Sequence, residues 1–221
     1  MSTPPIKTAL FDLDGTLIDH FETIYRCYDH ALSTLGLESR TYETVKASVG
    51  GGIRMTFSRL VPEEHIERSV ELWSARFAEI WSEGIVVLPG AEKLVKKLKE
   101  SGVKTAIYTN KEGDVARKIA ALLGWEPLFD GIYGRLDTDY TKPDIRLTDH
   151  VLSGIDATAE GAVMIGDSPF DWATAHNANF GAYLVATGSH TLRQLKNETT
   201  ALGIYPNLVV LARKVWDLDV D

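Results

Sequence analysis

The amino-acid sequence predicts an α/β fold, a doubly wound parallel sheet carrying an inserted α-helical module, on three observations. A short apolar run near the start ends abruptly in two aspartates. Further apolar runs alternate with amphipathic stretches after residue 87, and residues 17–86 between these regions show helical spacing without clear strands. At 221 residues, with 44% hydrophobic and 24% charged side chains, the chain has an ordinary globular composition and the length for one core plus a smaller module.

Each element has its own signature. Lys7 to Phe11 reads as a buried strand whose carboxyl end opens into the turn Asp12-Leu13-Asp14-Gly15. Tyr25, Tyr28, Leu32 and Leu35, then Val70, Trp73, Phe77 and Ile80, recur at helical spacing and mark helices that pack on one another. Joined to the rest at two nearby points, such a module can sit over the carboxyl edge of the sheet as a lid. Val103 to Tyr108, Gly161 to Ile165 and Ala182 to Val185 are the further strands, alternating with helices such as Ala91 to Glu100 and Gly113 to Leu123.

Whole-chain features narrow the function classes. A net charge of -8 provides no general attraction to nucleic-acid phosphate or to an anionic membrane. A small anionic substrate must then be drawn in by local positive charge, a metal ion or oriented backbone amides. The single cysteine, Cys27, forms no internal disulfide and reads as a small buried hydrophobe in a reducing compartment. Met1 to Pro5 lack the basic and apolar regions of a secretory signal, and no apolar run approaches the roughly 20 residues that cross a bilayer, so a cytoplasmic location is expected. Asn197-Glu198-Thr199 is then a chance glycosylation match. His20, His30, His65, His150, His176 and His190 form no close ligand pair, which disfavours a zinc hydrolase and leaves them as surface or packing residues.

Four islands carry chemistry. Asp12 and Asp14, one residue apart at a strand end, can project both carboxylates toward one mouth, with Gly15 permitting the turn and Thr16 offering a hydroxyl; an Asx-turn with a helix cap is the alternative use. Gly166-Asp167-Ser168-Pro169-Phe170-Asp171 follows another strand and opens a helix near Pro169, where Asp167 or Ser168 can also serve as a cap. Clustered carboxylates repel unless a cation neutralises them, and magnesium, which takes octahedral oxygen donors, suits Asp12, Asp167 and a backbone carbonyl near Asp14. Tyr108-Thr109-Asn110 places a hydroxyl and an amide at a third strand end, for a phosphate oxygen or for a helix cap. Lys142-Pro143 supplies an ammonium that either reaches the acidic cluster or stays solvated before a helix-starting proline.

Taken together and in this order, the islands resemble the haloacid dehalogenase-like hydrolase superfamily across nearly the whole chain. Asp12 to Thr16 looks like its first motif, Thr109 its second, Lys142 its third and Gly166 to Asp171 its fourth. The resemblance implies a Rossmann-like core over 1–16 and 87–221 with an α-helical cap over 17–86. It further implies that Asp12 attacks phosphorus to form an aspartyl-phosphate and that Asp14 acts as general acid and base. Thr109 and Lys142 would hold the phosphoryl oxygens, and the metal-site residues would be Asp12, Asp14, Asp167 and Asp171, binding Mg2+. Asp14 points to phosphate esters within the superfamily, and Gly15-Thr16, where related mutases typically show Gly-Val, favours a phosphatase.

The phosphoglycolate phosphatase-like branch is similar through Val49-Gly50-Gly51-Gly52-Ile53-Arg54, which looks like its glycine-containing cap loop. Thr16, Asn110, Gly51 and Arg54 are the substrate-binding candidates. Arg54 either pairs with a substrate carboxylate or faces solvent, and Gly50 to Gly52 either shape the site or form a flexible connection. The expected substrate is a small phosphorylated metabolite, phosphoglycolate-like or sugar-phosphate-like. A phosphosugar mutase and a non-catalytic phosphometabolite-binding regulator are the alternatives. Asp144-Ile145 and Asn179-Phe180 depart from the pattern of many relatives without removing a catalytic group.

Overall fold

The computed structural model describes residues 5–221, so the signal-peptide reading of the first residues and the first four residues of the expected core lie outside it. Six parallel strands form the sheet, in the order β5-β4-β1-β6-β7-β8. β1 (Thr8–Phe11) is central, between β4 (Lys104–Glu112) and β6 (Ala162–Gly166). β5 (Gly131–Arg135) forms one edge, and β7 (Gly181–Val185) leads to β8 (Gly203–Tyr205) at the other. A strand walled on both sides and both faces must be apolar throughout, and all four residues of β1 are buried.

Alternation along the strands divides the core in two. Ala9, Phe11, Ile107 and Ile165 face the cluster covered by α5 (Ala91–Glu100), α6 (Gly113–Leu122) and α10 (Leu208–Trp216). Leu10, Ala106, Tyr108 and Met164 face the opposite cluster, with α7 (Ile145–Gly154), α8 (Pro169–Asn177) and α9 (Leu192–Glu198). The sheet is therefore covered by helices on both sides. Among the described residues no helix is long and apolar enough to cross a membrane.

Residues between the first turn and β4 leave the sheet through β2 (Ile18–Asp19) and return through β3 (Val86–Val87), which pair antiparallel. Four helices lie between these strands: α1 (Phe21–Thr34), α2 (Tyr42–Ser48), α3 (Ile53–Leu60) and α4 (Ile66–Ile80). Their aromatic residues meet, as the spacing predicts: Trp73 stacks on Phe77 with centroids 4.6 Å apart, and Tyr28 lies 4.7 Å from Phe57.

Several elements differ from the sequence expectation. β5 and β8 carry glycines and half-buried positions rather than an apolar run, and the two-residue strands β2 and β3 are too short for any periodicity. β4 continues past Tyr108 to Glu112 with a register shift, so Thr109 and Asn110 are strand residues and not the cap of α6, whose flanking residue is Glu112. Pro143 does not open α7; Asp144 caps it by accepting a hydrogen bond from the Arg146 amide at 2.9 Å. Asn179 has φ +59°, a left-handed position that asparagine tolerates better than most residues.

Candidate active site

Asp12 follows the last residue of β1, and its amide donates to the Ile165 carbonyl at 2.9 Å, which fixes the strand end against β6. Gly15, at φ +81°, makes the turn that carries the chain away. A Cβ there would lie 2.7 Å from the Gly188 Cα and 2.9 Å from Asp167 Oδ2, so the position admits only glycine. Thr109 on β4 and Asp167 after β6 bring their side chains to the same carboxyl edge, where open α/β sheets form their crevice.

Lys142 joins these strands from a distant loop. Its Nζ lies 3.0 Å from Asp12 Oδ1 and 2.6 Å from Asp171 Oδ1, with 3% of the residue exposed. Asn110 holds its backbone from both sides: the Lys142 amide donates to Asn110 Oδ1 at 2.8 Å, and Asn110 Nδ2 donates to the Lys142 carbonyl at 3.2 Å. Asp171 is a structural hub, because its Oδ2 also accepts from Ser168 Oγ at 2.7 Å and from the amides of Ser168 and Asp167. Asp167 Oδ2 accepts from the Ser189 amide at 2.6 Å and its hydroxyl at 2.9 Å.

Three buried carboxylates thus face one ammonium. Burial raises the Asp12 pKa, Lys142 and a Thr109 hydrogen bond oppose the rise, and the Asp171 charge adds to it. Burial likewise pushes Asp167 up, reinforced by Asp171 and Asp12. Burial works against the Lys142 ammonium, but the two aspartates outweigh it and hold its pKa above the usual lysine range. Oxygens of Asp12, Asp167 and Asp171 all lie within 4.8 Å of one another. Such a compact set of hard, under-neutralised oxygen donors fits a magnesium ion.

Asp14 stands apart from that set. Its carboxylate is gripped by Lys111, with Nζ at 2.8 and 3.1 Å from its two oxygens, and the compact carboxylate group consists of Asp12, Asp167 and Asp171. Lys111 also lies 3.4 Å from His20 Nδ1 and 5.0 Å from the centre of the Phe77 ring. His20 is fully buried, with Nε2 3.0 Å from the Glu83 carbonyl, so Nε2 carries the proton and Nδ1 is an acceptor. Burial, then the Lys111 charge, lower its pKa to about 4. His20 is therefore neither a surface residue nor a simple packing residue.

A cavity of about 110 Å³ opens above these groups. Asp12, Asp14, Thr109, Asn110, Lys142 and Asp167 line it, as does Gly51 at φ +74°, where a Cβ would fall 2.8 Å from the Phe170 ring. Two substrate candidates lie elsewhere. Arg54 is turned outward and pairs with Glu67 at 2.6 Å, since a guanidinium on the exposed side of α3 finds its partner on α4. Thr16 is wholly buried and does not border the cavity. The reading from sequence missed Lys111, Ser189 and His20. Lys111 directly follows Asn110, and Gly188-Ser189 closely follows β7 at the same sheet edge, so the rule that marked the other islands extends to both.

Comparison with known proteins accords with this geometry. The family described as haloacid dehalogenase-like hydrolase matches residues 9–185. The phosphoglycolate phosphatase of Psychrobacter arcticus is 30% identical, over 95% of this chain and 97% of its own. A pyrophosphatase from Halalkalibacterium halodurans is also 30% identical, over 78% of this chain and 80% of its own. A crystal structure of a protein from Lactobacillus delbrueckii, described as a putative phosphoglycolate phosphatase, shares the fold with a TM-score of 0.88 at 22% identity, covering 96% of this chain and 98% of that one. With its four motif islands gathered at one sheet edge and this extent of match, the chain belongs to the haloacid dehalogenase-like hydrolase family.

Proposed function

We propose that the protein is a magnesium-dependent phosphatase that hydrolyses a small phosphomonoester through a phosphorylated Asp12. The observation that carries this reading is the meeting of Asp12, Lys142 and Asp167 at the floor of one cavity, with Asp171 buried behind them and paired with Lys142. Relatives named as phosphatases support the reaction class.

In the first step a carboxylate oxygen of Asp12 forms a bond to phosphorus as the ester P–O bond breaks, and Asp14, which must enter this step protonated, passes its proton to the leaving alkoxide oxygen. Asp14 then takes a proton from water as that water attacks the phospho-aspartate, which releases phosphate and regenerates Asp12. Lys142 and Thr109 hold the phosphoryl oxygens, and Asn110 keeps Lys142 in place through its backbone. Lys111 orients Asp14. A magnesium ion held by Asp12 and Asp167, with Asp171 supporting, supplies positive charge that offsets the developing negative charge on the phosphoryl oxygens.

Residues 17–86 form the cap of this reading, over a core of 1–16 and 87–221. Support comes from the cavity's mixed lining, with Phe21, Tyr28, Trp73 and Phe77 from the inserted helices above the acidic floor. Phosphoglycolate, for which several relatives are named, is the first ester to try, although Arg54 is not placed to receive its carboxylate. Phosphate release from a panel of phosphomonoesters, with and without magnesium and with Asp12→Asn as control, tests the reading. Release that persists in Asp12→Asn would sink it.

A further inference from the structure

Beyond the four islands, a fifth segment reaches the same sheet edge. Thr187, Gly188 and Ser189 follow β7, and Ser189 borders the cavity. Thr187 Oγ1 donates to the Gly15 carbonyl at 2.6 Å, which ties the segment to the turn after Asp14. A Cβ on Gly188 would collide with Asp167 Oδ2, so only glycine lets the backbone pass this close to the carboxylate. Ser189 then meets Asp167 twice, through its amide at 2.6 Å and its hydroxyl at 2.9 Å.

Both of these hydrogen bonds end on one oxygen. Asp167 Oδ2 accepts from the amide and from the hydroxyl, whereas no donor among the described residues reaches Oδ1, which is not sealed from solvent. A hydroxyl carries a single proton and a carboxylate oxygen only accepts, so the Ser189 proton is committed to Asp167. His190, whose Nδ1 lies 2.9 Å from Ser189 Oγ, is left to donate to that oxygen. The neighbouring carboxylates are restricted in the same manner. Lys142 occupies Oδ1 of Asp12, and Asp171 has both oxygens engaged, Oδ1 by Lys142 and Oδ2 by the Ser168 hydroxyl and two amides.

A carboxylate with one oxygen saturated binds a cation through the other alone. That suits magnesium, which demands near-octahedral geometry at about 2.0–2.1 Å, whereas calcium takes roughly 6–8 oxygens and can draw both from one carboxylate. We propose that Ser189 sets the metal preference of this site: by occupying Asp167 Oδ2 it confines Asp167 to coordination through Oδ1 and so favours magnesium over calcium. Ser189 acts through Asp167 and is a positioning residue, of the kind whose loss weakens a metal site without removing a ligand. The proposal rests on the magnesium reading of the same carboxylates.

The test follows the rise in Tm of the metal-free full chain as magnesium alone or calcium alone is added, which gives a Kd for each ion without reference to turnover. Wild type should bind magnesium at least about tenfold more tightly than calcium. In Ser189→Ala the magnesium Kd should rise about tenfold while the calcium Kd stays within about twofold, because the freed oxygen compensates calcium and not magnesium. Ser189→Thr, which keeps the hydroxyl, should hold the wild-type ratio within about twofold. An unchanged ratio in folded Ser189→Ala would overturn the proposal, as would an equal loss of both ions, the mark of general damage to the site. Calcium bound as tightly as magnesium by the wild type would overturn it even if both variants misfold. A melt that responds to neither ion would remove the magnesium reading and this proposal with it, whereas binding with an unaltered ratio would remove this proposal alone.

Discussion

The Lys142 ammonium lies 2.6 Å from Asp171 Oδ1, and both side chains are shut away from solvent. Asp171 also accepts three hydrogen bonds from the turn that opens α8, so one carboxylate ties the lysine to the segment carrying Asp167. Removing the cation leaves buried carboxylates that only repel.

Lys142→Met should therefore lose stability as well as activity. Breaking a buried pair by deleting one partner costs about 3–5 kcal/mol, readable as a shift in urea midpoint, and phosphate release should fall by about a hundredfold or more. Lys142→Arg should not restore activity, because a planar fork cannot replace a compact ammonium between Asp12 and Asp171. A stable, active Lys142→Arg enzyme would show that only the charge matters.

Magnesium should stabilise the folded protein by binding the Asp12, Asp167 and Asp171 cluster. At a hundredfold excess over Kd the gain is about 2.7 kcal/mol, which raises Tm by roughly 5–10 °C in a chain of this length. Asp167→Asn should abolish most of that rise in a thermal melt. An undiminished rise would place the ion elsewhere.

His20 links stability to pH. Its pKa is about 4 in the fold against about 6.5 when unfolded, so the unfolded chain takes up the proton first and stability is lost as pH falls from near 6.5 toward 4. Lys111, Asp14, Asp19 and the Glu83 carbonyl surround the ring, and Lys111 opposes its charging. Between pH 7 and 4.5 this one group should account for about 2 kcal/mol. Urea titrations of wild type and His20→Gln at the two pH values should differ in pH dependence by that amount, and parallel curves would assign the acid sensitivity to other groups.

Arg54→Ala should change little. An exposed pair such as Arg54–Glu67 contributes roughly 0–1 kcal/mol, and the guanidinium is outside the cavity. Stability should stay within about 0.5 kcal/mol and kcat/KM within about twofold across phosphomonoesters. A tenfold loss on 2-phosphoglycolate alone would show that Arg54 swings inward to the substrate.

How much was legible from sequence follows from what is local. Asp12, Asp14 and Asp167 announce themselves because each follows a buried apolar strand, and a strand end with acidic residues is a short-range pattern. Lys142 has no such local signature, and only the combination of islands singled it out. His20 was invisible as a site neighbour because its surroundings come from Lys111 and Glu83, distant in sequence. Arg54 stayed open between a substrate carboxylate and solvent because its neighbour in the fold, Glu67 on α4, lies thirteen residues further along the chain. The edge strands β5 and β8 were missed because an edge is only half covered and has no need of a continuous apolar run.

The central place of β1 also sets a timetable for biogenesis. Its neighbours on either side, β4 and β6, begin 96 and 154 residues after it (Thr8 against Lys104 and Ala162). At translation speeds of about 5–20 residues per second, the nascent β1 waits roughly 5–20 s for its first partner and about 8–30 s for its second. Until β4 emerges this apolar strand presents two unpaired edges, and until β6 emerges it presents one, so the segment leading into Asp12 is open to mispairing for much of synthesis.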